Sequence, residues 1–275
     1  MVRSPQTIYT YSNIIIPKHR PSIARLIYMP LQIVTQQVKI ESTGAPISAY
    51  LAVPAGSGQF PGIIVLQEIF GVNTHIRAVT ERIASLGYVA IAPALFDRFA
   101  PGLDLGYTGA DVELGRSYAQ ATSASQLLSD IQAAIDYLKT LPQVQPHFGC
   151  IGFCFGGHVA YLAATLPDIA VTASFYGAGI TTYTPGGGEP SVSQTGSIAG
   201  TMYMFFGMDD TSIPPDQIAQ IDVALTQNNI PHQIWQYPGA EHGFNCDLRE
   251  SYNSTAAESA WQHVEELFQQ LTAAQ

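Results

Sequence analysis

Phe148-Gly-Cys-Ile-Gly-Phe-Cys-Phe-Gly-Gly157 is the stretch on which the fold turns. Its first half, Phe148–Phe153, is a short apolar run that suits a strand buried on both faces, and residues 156–166 read as a helix. Between them lies Gly-x-Cys-x-Gly, a sharp strand-to-helix turn with Cys154 at its apex. Such a turn crowds the positions two residues either side, so Gly152 and Gly156 need to lack a Cβ. At the start of a helix Cys154 meets the positive dipole end, which favours a thiolate, and the Phe155 N–H points where an oxyanion would form. The same pattern also fits a structural cysteine packed as a small hydrophobe. Cys150, Cys154 and His158, four apart, form a metal stripe only on one continuous helix, which the apolar run and Gly152 oppose. A Cys150–Cys154 disulfide fails on reach across an extended segment.

Working outward, short apolar runs alternate with amphipathic stretches. Strands are expected at 37–40 and 48–53 around a 42–46 turn, then at 62–67, 88–93, 148–153, 171–176, 202–206 and 233–237. Helices are expected at 74–86, capped by Asn73 and stopped by Gly87, and at 123–141, 156–166, 215–228 and 255–271. Residues 96–115 and 181–200, rich in Gly and Pro, read as loops. Strands alternating with helices imply an α/β fold with a mostly parallel central sheet and helices on both faces. No repeat or linker divides the chain, so 37–275 is expected to be one domain behind an extension, 1–36.

The charge is uneven. Of 275 residues 12% are charged and the formal net charge is −10, yet residues 1–40 hold five basic side chains and no acid. The rest of the chain has six basic residues against 21 acids, a formal −15. A basic start bearing serines has the composition of a transit peptide, but Pro5, Pro17, Pro21 and Pro30 break any long amphipathic helix. The extension is therefore read as lying over the domain. The acidic body argues against nucleic acid, and no apolar run reaches the ~18 residues of a membrane span. Three cysteines without framework spacing point to a reducing compartment and a cytoplasmic location.

In a parallel sheet, ligands bind beyond the carboxyl ends of strands. After 202–206 comes Gly207-Met-Asp-Asp-Thr-Ser-Ile-Pro214, and after 233–237 comes Gly239-Ala-Glu-His-Gly-Phe244. A nucleophile, an acid and a histidine thus follow one another, each at a strand end. Of seven histidines, only His242 lies in a glycine-flanked loop after a late strand.

With these motifs the chain resembles the dienelactone hydrolase family, also called carboxymethylenebutenolidases, over roughly residues 37–272. Gln67-Glu-Ile-Phe-Gly-Val-Asn73 matches its signature after the first central strand. Gly152–Gly157 matches its nucleophile turn, Asp210-Thr-Ser-Ile-Pro214 its acid motif and His242-Gly-Phe244 its histidine motif. The resemblance implies an α/β-hydrolase fold and hydrolysis of a lactone or ester through a Cys154–His242–Asp210 triad and a thioester acyl-enzyme. It implies an oxyanion hole from the N–H groups of Ile69 and Phe155, and a Glu68 that holds the thiol proton at rest. Arg98, in Pro93-Ala-Leu-Phe-Asp-Arg98, matches a substrate-binding arginine of the family, and Tyr176 is a further candidate for the pocket. The family's other carboxylate-binding arginine, four residues after the histidine, is here Cys246, with Arg249 nearest. A broader esterase acting on neutral esters is therefore the alternative, and a non-catalytic binding protein on the same fold a third. The expected partner is a small-molecule lactone or ester, with no cofactor or metal, and the chain is expected to be a monomer or weak homo-oligomer.

Overall fold

The computed structural model describes residues 31–273. The basic residues and prolines of segment 1–30 lie outside them. Eight strands form one sheet: β1 (Ile33–Ile40), β2 (Ile47–Pro54), β3 (Phe60–Leu66), β4 (Val89–Pro93), β5 (Val144–Phe153), β6 (Ile169–Phe175), β7 (Thr201–Gly207) and β8 (His232–Tyr237). Their order is β1-β2-β4-β3-β5-β6-β7-β8. β1 and β2 form an antiparallel pair, β2 runs antiparallel to β4, and the remaining neighbours are parallel. The first strand starts four residues before the expected 37, so residues 33–36 already belong to the sheet.

The helices are α1 (Thr74–Ser85), α2 (Gly109–Ala121), α3 (Ala124–Lys139), α4 (Phe155–Ala163), α5 (Pro215–Gln227) and α6 (Ser254–Ala273). The central strands alternate between two cores. In β3, Ile63 and Val65 face a core shared with Ile76 and Ile83 of α1 and Trp261 and Val264 of α6. Ile64 and Leu66 face a second core shared with Ile131 and Ile135 of α3 and Val159 of α4. That is why the central strands read as unbroken apolar runs: both faces are covered. Each fully buried Ile or Phe contributes about 1.5–3 kcal/mol. Asn73 and Ser123 cap α1 and α3 as their side chains suggest, accepting from the N–H groups of Ile76 and Gln126.

One element corrects the sequence reading. Part of the loop expected at 96–115 is helical, because α2 starts at Gly109 behind a capping box in which Thr108 and Asp111 satisfy each other's backbone N–H. Gly115, which reads as a breaker, sits inside this helix. A Cβ there would stand 2.3 Å from the Ile69 carbonyl oxygen, so glycine is what lets α2 dock on the turn after β3. The 181–200 segment is irregular, with a 3₁₀ turn at Ser191–Ser197.

Candidate active site

The turn between β5 and α4 holds Cys154 at φ 55° and ψ −116°, a conformation a non-glycine residue adopts only under constraint. The constraint is visible in its neighbours. A Cβ on Gly152 would lie 1.9 Å from the Gly156 carbonyl oxygen, and one on Gly156 would lie 2.3 Å from that of Leu66. The Cys154 N–H donates to Phe175 O at 3.0 Å, which pins the turn to β6. Phe155 is the first residue of α4, so its N–H has no helical acceptor of its own.

Asp210 follows β7 and His242 follows β8, so the three side chains converge from three strand ends. His242 Nε2 lies 3.0 Å from Cys154 Sγ, and Nδ1 lies 2.7 Å from Asp210 Oδ2. Asp210 is buried and its Oδ1 accepts from the Ser212 N–H at 2.8 Å, whereas Asp209 is exposed. Burial alone would push the His242 imidazole down. The charge on Cys154 and the bonds to Asp210 and Cys154 outweigh it, and the ring is raised to about 10.

A cavity of about 420 Å³ opens at Cys154. Ile69 and Phe155, the two residues that the resemblance gives to the oxyanion hole, are among its lining. Its other walls come from α2, through Arg116, Ala119 and Gln120, and from Ala178 and Tyr183 in the segment after β6. Arg116 is the one charged side chain among these residues. The sequence offers Arg116 only as one of the few cations of the body, because 109–115 reads as loop and Arg98 matches the family position; the Thr108-x-x-Asp111 spacing is the signal for α2.

Arg98 is elsewhere engaged. Its Nη2 donates to Asp130 Oδ1 at 2.5 Å and to Ser42 Oγ at 3.1 Å, and its Nε donates to Asp130 Oδ2 at 3.3 Å. Asp130 on α3 is fully buried and needs that cation, so Arg98 does not serve the cavity as the sequence suggested. Tyr176 is fully buried with φ 37°, and its ring meets His242 edge-to-face at 5.2 Å. It backs the histidine rather than lining the cavity at Cys154.

Glu68 is fully buried, and its Oε1 accepts from Arg249 Nη1 at 3.4 Å. It makes no hydrogen bond to Cys154, whose thiol faces His242 instead. The guanidinium also lies over Phe70 and Tyr107, 5.9 and 5.8 Å from the ring centres. A Cβ at Gly243 would sit 2.3 Å from Arg249 Nη1, so the glycine after His242 makes room for this cation. Arg249 thus supplies a positive charge near the site from three positions beyond the one the family pattern specifies. Cys246, at that position, donates its thiol to Tyr107 Oη at 3.2 Å. His75, Cys246 and Asp247 bring one potential metal ligand each within 4.8 Å of one another. The Cys246 thiol is already bonded to Tyr107, and burial pushes it up to about 11.

A mostly parallel sheet with a strained strand-to-helix turn after one strand, and an acid and a histidine after two later ones, defines an α/β-hydrolase fold. The sequence profile of the Dienelactone hydrolase family matches residues 47–272. A Synechocystis protein bearing the name carboxymethylenebutenolidase is 53% identical over 242 residues, covering 88% of this chain and 98% of its own. An Escherichia coli protein of the same name is 33% identical over 241 residues, covering 86% and 88%. A crystal structure named for a dienelactone hydrolase from Klebsiella pneumoniae superposes with a TM-score of 0.79 at 30% identity, over 87% of this chain and 99% of that one. The chain belongs to the dienelactone hydrolase family and is a lactone or ester hydrolase. Among the described residues no helix is long and apolar enough to cross a membrane.

Proposed function

We propose that Cys154, His242 and Asp210 form the catalytic triad of this hydrolase and that the reaction passes through a thioester. The observation that carries the reading is the placement of one imidazole, 3.0 Å from the thiol sulfur on one side and 2.7 Å from a buried carboxylate on the other. The Cys154 thiol gives its proton to His242 Nε2, the sulfur attacks the ester carbonyl carbon and an oxyanion forms, met by the N–H groups of Ile69 and Phe155. Loss of one such donor typically slows acyl transfer about 100–1,000-fold. As the C–O bond breaks, the leaving alkoxide takes the proton held on His242 Nε2; in a lactone it stays tethered and the ring opens. His242 then removes a proton from water, which attacks the thioester carbonyl, and the thiolate departs with the carboxylic acid released. Asp210 fixes the Nδ1–H tautomer and stabilises the imidazolium. Glu68 modulates the nucleophile: turned from Arg249 to Cys154 it would accept a hydrogen bond from the neutral thiol between turnovers and shield it from oxidation, and back on Arg249 it leaves the thiol proton to pass to His242.

A second reading, hydrolysis of neutral esters, is favoured by the engagement of Arg98 with Asp130, which takes the expected carboxylate-binding arginine from the substrate; Arg116 in the cavity lining argues the other way. The test is a hydrolysis screen of anionic lactones beside neutral esters, with Cys154→Ala as control. Turnover by the native protein and none by the variant is expected. Equal rates for both would refute the nucleophile, and the ratio between the two substrate sets decides the class.

A further inference from the structure

His158 stands one helical turn after the nucleophile, and its N–H donates to the Cys154 carbonyl at 3.1 Å. Its imidazole is fully buried. Nδ1 lies 2.9 Å from the Ala178 carbonyl oxygen, which can only accept, so Nδ1 carries the proton and Nε2 accepts from the Ser191 hydroxyl at 2.7 Å. One ring therefore touches both ends of the segment between residues 178 and 191. That segment carries Tyr183, whose ring meets His158 edge-to-face at 4.9 Å and lines the cavity at Cys154. Further bonds close the segment on itself: Ser191 N–H to Tyr183 O at 3.3 Å, and Thr184 Oγ1 to Ser191 Oγ at 3.0 Å.

We infer that His158 is a positioning residue: by bridging Ala178 and Ser191 it fixes the Tyr183 wall of the substrate cavity against the nucleophile helix, and so sets selectivity for the group that lies along that wall. This rests on the proposed hydrolase reading for its kinetic consequence, though the clamp itself does not. Without the imidazole the Ala178 carbonyl loses this donor, whereas the Ser191 hydroxyl keeps Thr184 Oγ1 and the Tyr183 carbonyl; no other side chain in the described segment bonds both Ala178 and Ser191. The imidazole takes no part in proton transfer: both of its nitrogens are engaged, one by a carbonyl and one by a hydroxyl.

The experiment compares His158→Ala, His158→Gln and Ser191→Ala by two measurements. The first is hydrolysis of neutral esters running from acetate to hexanoate. Loss of one buried, satisfied pair is expected to raise KM for the longer esters about tenfold in His158→Ala and less in Ser191→Ala, with kcat within about twofold and acetate unaffected. His158→Gln, whose amide can reach Ser191, recovers part of the loss. The second is amide hydrogen exchange, expected to quicken at 178–191 and not in the central strands. A uniform loss of activity on every ester, or unchanged KM with unchanged exchange, would overturn the proposal. If the native protein turns over no ester, the hydrolase reading falls, and exchange alone decides whether His158 is the clamp.

Discussion

Replacing Arg98 by alanine separates a structural role from a substrate-binding one. The Asp130 carboxylate is fully buried and accepts three bonds: from Arg98 Nη2 at 2.5 Å, from Arg98 Nε at 3.3 Å and from Ser42 Oγ at 2.6 Å. The variant removes two of the three and leaves a buried charge with one neutral donor. Charge-assisted bonds contribute about 1.5–3 kcal/mol each, and breaking a buried pair from one side costs about 3–5 kcal/mol. We expect Arg98→Ala to lose about that much by urea unfolding, while KM for an anionic lactone stays within about twofold at temperatures where the variant is folded. Replacing both partners by apolar residues, Arg98→Met with Asp130→Leu, should recover most of the loss, since no uncompensated charge remains. A loss below about 1 kcal/mol together with a tenfold rise in KM for the anionic substrate alone would refute the assignment and return Arg98 to the substrate.

Arg116→Ala should raise KM for carboxylate-bearing substrates about tenfold and leave neutral esters unchanged, with the difference shrinking as salt is added; steady-state kinetics at two ionic strengths checks it. Gly152→Ala should abolish soluble, active protein, because its Cβ would sit 1.9 Å from the Gly156 carbonyl oxygen. Gly109→Ala meets nothing within 4 Å and should be neutral or stabilising by up to about 1 kcal/mol in thermal unfolding. Burial lowers His158 from 6.5 to about 4. The unfolded chain therefore takes up a proton below pH 6.5 that the folded chain refuses until about 4, so stability falls as pH drops through that window. At about 1.4 kcal/mol for each pH unit this amounts to about 3 kcal/mol, and urea titrations at pH 7, 5.5 and 4 should show a flatter profile in His158→Gln.

The parts of the molecule legible in the sequence are those whose cause is local. The run Phe148–Phe153 is apolar because both its faces are covered, and Gly152 and Gly156 mark the turn because their neighbours' carbonyls leave no room for a Cβ. Asp210 is separated from Asp209 by the resemblance to the family's acid motif; in the fold the first is buried and the second exposed. What escaped depends on partners distant in the chain. Gly115 looks like a breaker until the Ile69 carbonyl is placed against it, and with α2 went Arg116. Arg98 meets an aspartate 32 residues away and Glu68 an arginine 181 residues away, pairs that no local pattern encodes.

The three strand ends that carry Cys154, Asp210 and His242 belong to β5, β7 and β8, whereas Arg116 and Tyr183 stand on connections outside the sheet. On the proposed triad, reaction geometry and substrate choice are thus inherited separately. The sheet's hydrogen-bonded register works as a ruler for the first, and insertions or exchanges in α2 or in 178–191 can remodel the second without disturbing it. For directed evolution this names the two segments to randomise, with Gly115 and His158 as the fixed studs onto which any new segment has to be fastened.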